Sequence, residues 1–231
     1  MKTLISAALC AALLPCLAVT AAAEGECRVR CVVAQSGSVL PDEIHVHDAA
    51  GTATAGKIHV KSFLNHEFDL IAPKGGPVVL TTKAEPASVK TPDNVVGECE
   101  LPAKAASLIL LLSPEAAGKL HCKVTVIDAS VKEFPSGSFK VVNLTALPVT
   151  VQLEKEKFEF KPGEMRAIKN PPTGEDGSSS MKAFCTRNGK QEQVAASSWP
   201  GPGQKRVLQV FSEDPVTKQV GVIGIRDIAK P

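Results

Sequence analysis

Three histidines form the residue pattern best suited to chemistry in this chain of 231 residues. His45 and His47 alternate along one predicted strand, so their imidazoles point to the same face of a sheet. His59 lies on a neighbouring predicted strand and can approach them across a hairpin. Imidazoles grouped in this way bind copper or zinc, which makes His45, His47 and His59 a candidate metal site. The alternative interpretation is that these histidines are solvated and that Val46 faces the core.

Five cysteines follow the apolar N-terminal segment, and this odd number leaves at least one thiol free or paired between chains. Cys27 and Cys31 share a predicted strand, where four residues span roughly 13 Å, beyond the ~7 Å limit between the Cα atoms of a disulfide. We therefore predict that one of them pairs with Cys99 or Cys122, and the spacing leaves open which. The chain has no CxxC pair, so a zinc finger or ribbon is disfavoured.

No residue pattern in the sequence predicts a catalytic site. His121 and Cys122 are adjacent on a predicted strand, so they face opposite sides and cannot form a nucleophile–base pair. The glutamates of residues 154–159 are interleaved with lysines, which is typical of a charge-balanced hairpin tip. GxSxG, HExxH and phosphate-binding motifs are absent from the sequence. We expect a protein that is not an enzyme and has no cofactor. The alternative is a hydrolase with an unrecognised site, for example in the irregular stretch 85–106.

The composition argues against nucleic acid as a partner. Residues 24–231 carry only one more basic than acidic side chain, and no basic helix is apparent. Tyrosine is absent and Trp199 is the only tryptophan, which weakens the case for a carbohydrate-binding or antibody-like surface. Trp199 lies in a predicted Pro/Gly loop. It is either a partner contact or a buried residue that seals the end of the core.

Residues 1–23 have the composition of a signal peptide. Lys2 precedes an apolar run over residues 4–19, and three alanines end the segment. The run is shorter than the ~20 residues of a membrane-spanning helix. Pro15 stands before Cys16, where a lipoprotein needs a small residue. We therefore predict export to the periplasm or the medium, with no membrane span in the mature chain.

Alternating apolar residues and turn signals predict a fold of short strands. Val149, Val151 and Leu153 place three apolar side chains on one sheet face, and Asn188-Gly189 is typical of a two-residue hairpin. The apolar run at residues 107–112 fits a strand buried on both faces. These patterns predict an all-β fold with little or no helix in the mature chain, built as two antiparallel immunoglobulin-like β-sandwich modules.

The predicted strands divide into two domains after the signal peptide. The N-terminal sandwich spans residues 24–130 and the C-terminal sandwich spans residues 131–231. Within the second domain, residues 134–169 are predicted to form an antiparallel meander. Proline lacks the N–H that a central strand needs, so we expect a sheet edge or a bulge at Pro148.

Several segments of the C-terminal half form a familiar pattern: the run Gly137–Thr145, the pair Pro148-Val149, the run Phe160–Glu164 and the closing residues 211–227. This pattern resembles a group of uncharacterised exported bacterial proteins built of immunoglobulin-like β-sandwich modules. The resemblance implies an exported β-sandwich with no known reaction. The half is also loosely similar to periplasmic pilus chaperones. This similarity does not imply a chaperone activity, because the Arg and Lys that anchor the substrates of those chaperones match no positions in this sequence.

The sequence as a whole predicts an exported, non-enzymatic envelope protein with a structural, assembly or partner-binding role. The expected partner is another envelope protein, not nucleic acid. One alternative is a periplasmic copper- or zinc-binding protein that uses His45, His47 and His59, and the other is the hydrolase. The oligomeric state is left open.

Overall fold

The computed structural model describes residues 26–34, 39–116, 118–214 and 217–228, so the predicted signal peptide lies outside the described residues. The described chain is built of β-strands, apart from two short 3-10 turns at Pro86–Lys90 and Pro92–Asn94. This confirms the predicted all-β class. No helical segment in these ranges is long and apolar enough to cross a membrane.

The first half of the chain contributes eight strands. They are β1 Cys27–Val33, β2 Glu43–Asp48, β3 Thr54–Lys61, β4 Asp69–Ile71, β5 Gly76–Thr81, β6 Val95–Leu101, β7 Ser107–Pro114 and β8 Cys122–Asp128. These strands follow one path, β6-β5-β2-β3-β1-β7-β8, and β4 also pairs with β1. The path bends at β3, which touches β1 through only two register pairs. The bend creates two layers, and apolar side chains from both layers share one core.

The second half contributes eight more strands. They are β9 Ser138–Asn143, β10 Val149–Leu153, β11 Glu156–Phe160, β12 Met165–Lys169, β13 Ser178–Arg187, β14 Lys190–Pro200, β15 Arg206–Glu213 and β16 Val220–Asp227. These strands form two four-stranded sheets, β11-β10-β13-β14 and β12-β9-β15-β16. The predicted apolar row Val149, Val151 and Leu153 lies in the core between the two sheets.

The two halves share one pairing pattern when β1–β8 are matched in order with β9–β16. The parallel pair β1–β7 corresponds to β9–β15, and its flanking antiparallel partners β4 and β8 correspond to β12 and β16. The layer β3-β2-β5-β6 corresponds to β11-β10-β13-β14. Among the described strand ladders only the short β1–β3 contact has no counterpart. The fold is therefore an internal structural duplication.

A third apolar cluster joins the two halves. It is formed by the outer faces of the sheets that contain β7 and β15, and Ile109 and Leu111 share it with Leu208 and Val210. Equivalent strands of the two halves therefore meet, as they do in the self-complementary interface of a symmetric dimer. This contact explains the continuous apolar run in β7, because Leu108, Leu110 and Leu112 face the core of the first half. The prediction of a strand buried on both faces is confirmed.

Three charged side chains are buried in this interface, and we name them the interface ion cluster: Arg30, Arg206 and Asp227. Arg30 donates to both carboxylate oxygens of Asp227, at 2.5 and 2.9 Å. The Nε atom of Arg206 donates to Asp227 at 3.1 Å, and its Nη1 atom donates to the carbonyls of Ala129 and Phe134, each at 2.8 Å. All three side chains are at most 3% exposed. One carboxylate thus bridges two guanidinium groups from different halves.

The predicted meander over residues 134–169 is wrong in its connectivity. β10 and β11 pair as expected, but the turn at Pro162-Gly163 carries the chain to the other sheet, where β12 pairs with β9. Gly163 adopts a φ of 74°, as the third position of a type II turn requires. Pro148 does not mark a sheet edge, because β10 pairs with β11 on one side and with β13 on the other.

Two strands extend into segments that the sequence predicts as loops. β6 lies within the irregular stretch 85–106, where prolines, Gly97 and charged residues hide its alternation. β14 continues to Pro200, so Trp199 belongs to a strand and not to a Pro/Gly loop. The predicted hairpin around Asn188-Gly189 is confirmed by the β13–β14 ladder.

Candidate functional site

The second half of the chain has an open seam between its two sheets. β14 ends one sheet and β16 ends the other, and neither pairs with a second strand among the described residues. Two cavities of about 290 and 460 Å³ lie between these edge strands. We name this region the seam groove. Its walls come from residues 185–200 of the β13–β14 hairpin and residues 217–226 at β16, and Phe139 and Gln209 complete its floor.

The equivalent seam in the first half is closed. There β6 packs directly against β8, the counterparts of β14 and β16. The contact is so close that a side chain at Gly97 would meet the carbonyl oxygen of Cys122, and its Cβ atom would lie 2.7 Å from Cγ2 of Val124. The same strand order therefore produces a sealed edge in one half and an open groove in the other.

Apolar side chains form most of the floor of the seam groove. Trp199 of β14 lies edge-on against Phe139 of β9, with ring centroids 5.0 Å apart, a favourable arrangement for two aromatic rings. Trp199 is only 4% exposed and lines the groove together with Val207 and Val222. Trp199 was predicted to be either a partner contact or a buried residue of the core. It is buried in the free protein, and a small part of the residue remains open to a bound molecule.

Gln209 is a polar side chain at the base of the groove. It lies on β15 and is only 4% exposed. Leu208 and Val210 on either side of it point into the interface between the halves. Gly224 lies opposite on β16, and a Cβ atom there would come within 3.0 Å of Oε1 of Gln209. Within the described part of the chain, the side-chain amide of Gln209 makes no hydrogen bond to protein, and its atoms remain accessible from the groove. It offers a donor and an acceptor to whatever enters the groove.

The charged residues of the seam groove are mostly basic. Arg187 is paired with Glu192 at 4.0 Å and with Glu213 at 3.9 Å. Arg226 lines one end of the groove and Lys218 the other, and neither side chain forms an ion pair with a described residue. The groove is therefore apolar at its floor and electropositive at both ends.

Of the three histidines predicted to bind metal, His47 is engaged in hydrogen bonds to protein groups. His47 is fully buried, its Nδ1 atom lies 3.0 Å from Thr54 Oγ1, and its Nε2 atom lies 3.0 Å from Thr81 Oγ1 and 2.9 Å from the carbonyl oxygen of Lys83. His45 stacks beside it with ring centroids 6.3 Å apart. The two rings share a face as predicted, but both nitrogens of His47 are already engaged in hydrogen bonds.

The side chain of His59 is partly exposed and lies next to two carboxylates. Its Nδ1 atom is 2.8 Å from Asp69, and its Nε2 atom is 3.6 Å from Glu43. Glu43 also lies 3.7 Å from His45. Among the described residues, no group of three or more His, Cys, Asp or Glu side chains has the arrangement of a metal site. His59 therefore approaches His45 through a shared carboxylate and does not complete a set of three imidazoles with His47.

The predicted disulfide from Cys27 or Cys31 to Cys99 or Cys122 is not formed, since all five described cysteines are free thiols. The strand register gives part of the reason. Cys27 lies beside the start of β7, whereas Cys122 pairs with Pro114 at its far end. Burial raises the pKa of Cys27, Cys99 and Cys122 to about 11 in each case. Burial also raises the pKa of Cys31, with a contribution from neighbouring acidic groups.

This arrangement predicts a specific thiol count. In the folded protein that begins at Glu24, we expect all five thiols to react slowly with a thiol reagent at about pH 8, because the thiolate is the reactive form and burial suppresses it. After unfolding in guanidinium chloride without reductant, all five should react at once. A count of three after unfolding would reveal a disulfide and contradict the structure.

Two comparisons of this chain with known proteins give no match. No protein-family model matches it, and a search of curated proteins returns no match. The groove must therefore be interpreted from its own geometry. Sequence patterns pointed to Trp199 alone among its residues. Gln209 carries a weak signal, as a single polar side chain between apolar neighbours in β15.

Proposed function

We propose that this protein is an exported, non-enzymatic envelope protein that binds a partner protein through the seam groove. We further propose that residues 24–130 and 131–231 are two immunoglobulin-like β-sandwich modules. The shared pairing pattern of the two halves and their separate cores support this division. The binding role is carried by one observation: the edge that is sealed in the first half is open in the second.

Most polar groups buried elsewhere in the described chain have structural partners, the exceptions being Nε of Arg30 and Oγ of Ser113. This favours binding over catalysis as the role of the protein. His47 is held by two threonines, and the interface ion cluster holds the halves together. Gln209 differs from these groups because it faces an open cavity without a partner. A binding site gives such a side chain a use, because an amide that reaches the groove can donate to and accept from a bound molecule.

The proposal predicts position-specific cross-linking in cells. Ser197 and Ser198 are adjacent exposed residues of β14. Successive residues of a strand face opposite sides, and of the two only Ser197 lines the groove. A photoreactive phenylalanine analogue at position 197 should yield a cross-linked adduct with one partner protein. The same analogue at position 198 is the matched control and should yield little. Equal adducts from both positions, or none from either, would count against a binding role for the groove.

A further inference from the structure

The seam groove has the form of a site for an extended chain. It runs between two strand edges and follows residues 218–226 at β16, which span roughly 26 Å at ~3.3 Å per residue. Its two cavities are arranged end to end along β14 and β16. A site of this shape accommodates one strand of about eight residues better than a compact small molecule.

The free edge of β14 supplies hydrogen bonds for such a strand. β14 is eleven residues long and pairs only with β13 among the described strands. Its outer edge therefore carries unpaired backbone N–H and C=O groups, which are a ready template for another strand. After Glu192 the strand carries no charged side chain up to Pro200. Charges are the usual protection of an exposed edge, and most of β14 lacks it.

Gln209 and the terminal charges add selectivity. A primary amide donates and accepts hydrogen bonds at once, so the buried side chain of Gln209 complements a peptide group of a bound backbone. Three basic residues and one acidic residue line the groove, and the unpaired Arg226 and Lys218 lie at opposite ends. An occupant with carboxylates near its two ends matches this distribution.

From these observations, and resting on the proposed function, we propose that the occupant is an extended segment of a partner protein. It adds to the edge of β14 as a further strand of about eight residues and bears an acidic side chain near each end. A second copy of this chain is a less suitable occupant. Pairing of two β14 edges would use the backbone groups but leave the amide of Gln209 without a partner.

The test uses the whole mature protein and a random nonapeptide library displayed on phage. We expect enrichment of peptides with alternating apolar residues and with Asp or Glu toward the ends. A synthetic copy of an enriched peptide should lose at least about tenfold in affinity when alternate backbone nitrogens are methylated, because methylation removes N–H donors. Charge reversal by Arg226→Glu should weaken binding of the acidic peptide by a similar factor. Arg226 is exposed, so this variant keeps its fold.

Two further variants control the site. Gln209→Leu should weaken the same peptide about tenfold, which would assign the amide to recognition. Gly224→Val fills the space in front of Gln209 and should abolish enrichment. The inference is overturned if the library enriches nothing beyond the Gly224→Val control, or if N-methylation and Arg226→Glu leave affinity unchanged. It is also overturned if the mature protein is a dimer that Gly224→Val converts to a monomer. A partner cross-linked at position 197 would uphold the proposed function in any of these cases.

Discussion

Replacement of Asp227 by asparagine is expected to lower the free energy of unfolding by about 3–5 kcal/mol. Asn has nearly the same shape but no charge, so Arg30 and Arg206 would face each other without a counterion in an interface where each is at most 3% exposed. Removal of one partner from a buried ion pair is costly because the remaining charge cannot be solvated. Urea-induced unfolding followed by circular dichroism, at neutral pH, measures the change.

An exposed ion pair provides the control for this variant. Arg166 lies 3.3 Å from Glu164, and both side chains are substantially exposed. Glu164→Gln should therefore cost at most about 1 kcal/mol, the usual range for a surface pair. If Asp227→Asn costs no more than Glu164→Gln, the interface ion cluster does not hold the two halves together.

The same carboxylate predicts a pH dependence. Burial by itself would raise the pKa of Asp227, but the hydrogen bonds and charge of Arg30 and Arg206 outweigh it and lower the pKa below its usual value. A lowered pKa in the folded state stabilises the protein above the ordinary aspartate pKa of about 3.9, and this stabilisation is lost as the pH falls further. The difference in the free energy of unfolding between wild type and Asp227→Asn should therefore become smaller below about pH 4.

Replacement of Asn143 by alanine should destabilise the protein by about 2–4 kcal/mol, the second largest effect that we expect. Asn143 is fully buried. Its Nδ2 atom donates to the carbonyls of Leu147, Phe160 and Lys161 at 2.9, 3.3 and 3.0 Å, and its Oδ1 atom accepts from Thr145. This side chain therefore links β9 to the ends of two connections. Alanine would remove one donor from each of the three carbonyls, and of the three only Leu147 would keep another side-chain donor among the described residues, Thr145.

Comparison of three variants tests this role of Asn143. Asn143→Asp should be more damaging than alanine, because a carboxylate would face carbonyl oxygens. Asn94→Ala changes a half-buried asparagine whose side chain makes no hydrogen bond within the described residues, and it should cost less than about 0.5 kcal/mol. Thermal and urea unfolding rank the variants. Similar stability of the position 143 and position 94 alanine variants would contradict a bridging role.

The local elements were predictable from sequence, whereas the duplication was not. Alternation and turn residues indicated β7, the β10–β11 hairpin and the β13–β14 hairpin. The parallel pairs β1–β7 and β9–β15 join segments far apart in the chain, and alternation within one strand carries no information about such partners. Equivalent positions also differ in chemistry. Leu110 and Gln209 occupy the fourth register pair of the two ladders, so the repeat is not visible as a sequence motif.

The candidate site was still less predictable. Whether a groove exists depends on the distance between β14 and β16, and this distance is set by the packing of two whole sheets. Trp199 was a candidate partner contact because it is the only tryptophan in the sequence. The spacing of the histidines predicted a metal site. In the structure His47 instead joins neighbouring segments of the first half through hydrogen bonds with Thr54, Thr81 and Lys83.

Asp227 is made long after the strands of the first half, and this order has a consequence for biosynthesis. All eight strands of the first half are complete once residue 128 has been made, but the outer face with Ile109 and Leu111 is covered by β15 and β16. At about 5–20 residues per second, the ribosome needs roughly 5–20 s more to reach Asp227. For that interval a nascent chain would present an apolar sheet face and an unneutralised Arg30. We therefore expect the newly made protein to need protection from aggregation until β16 emerges.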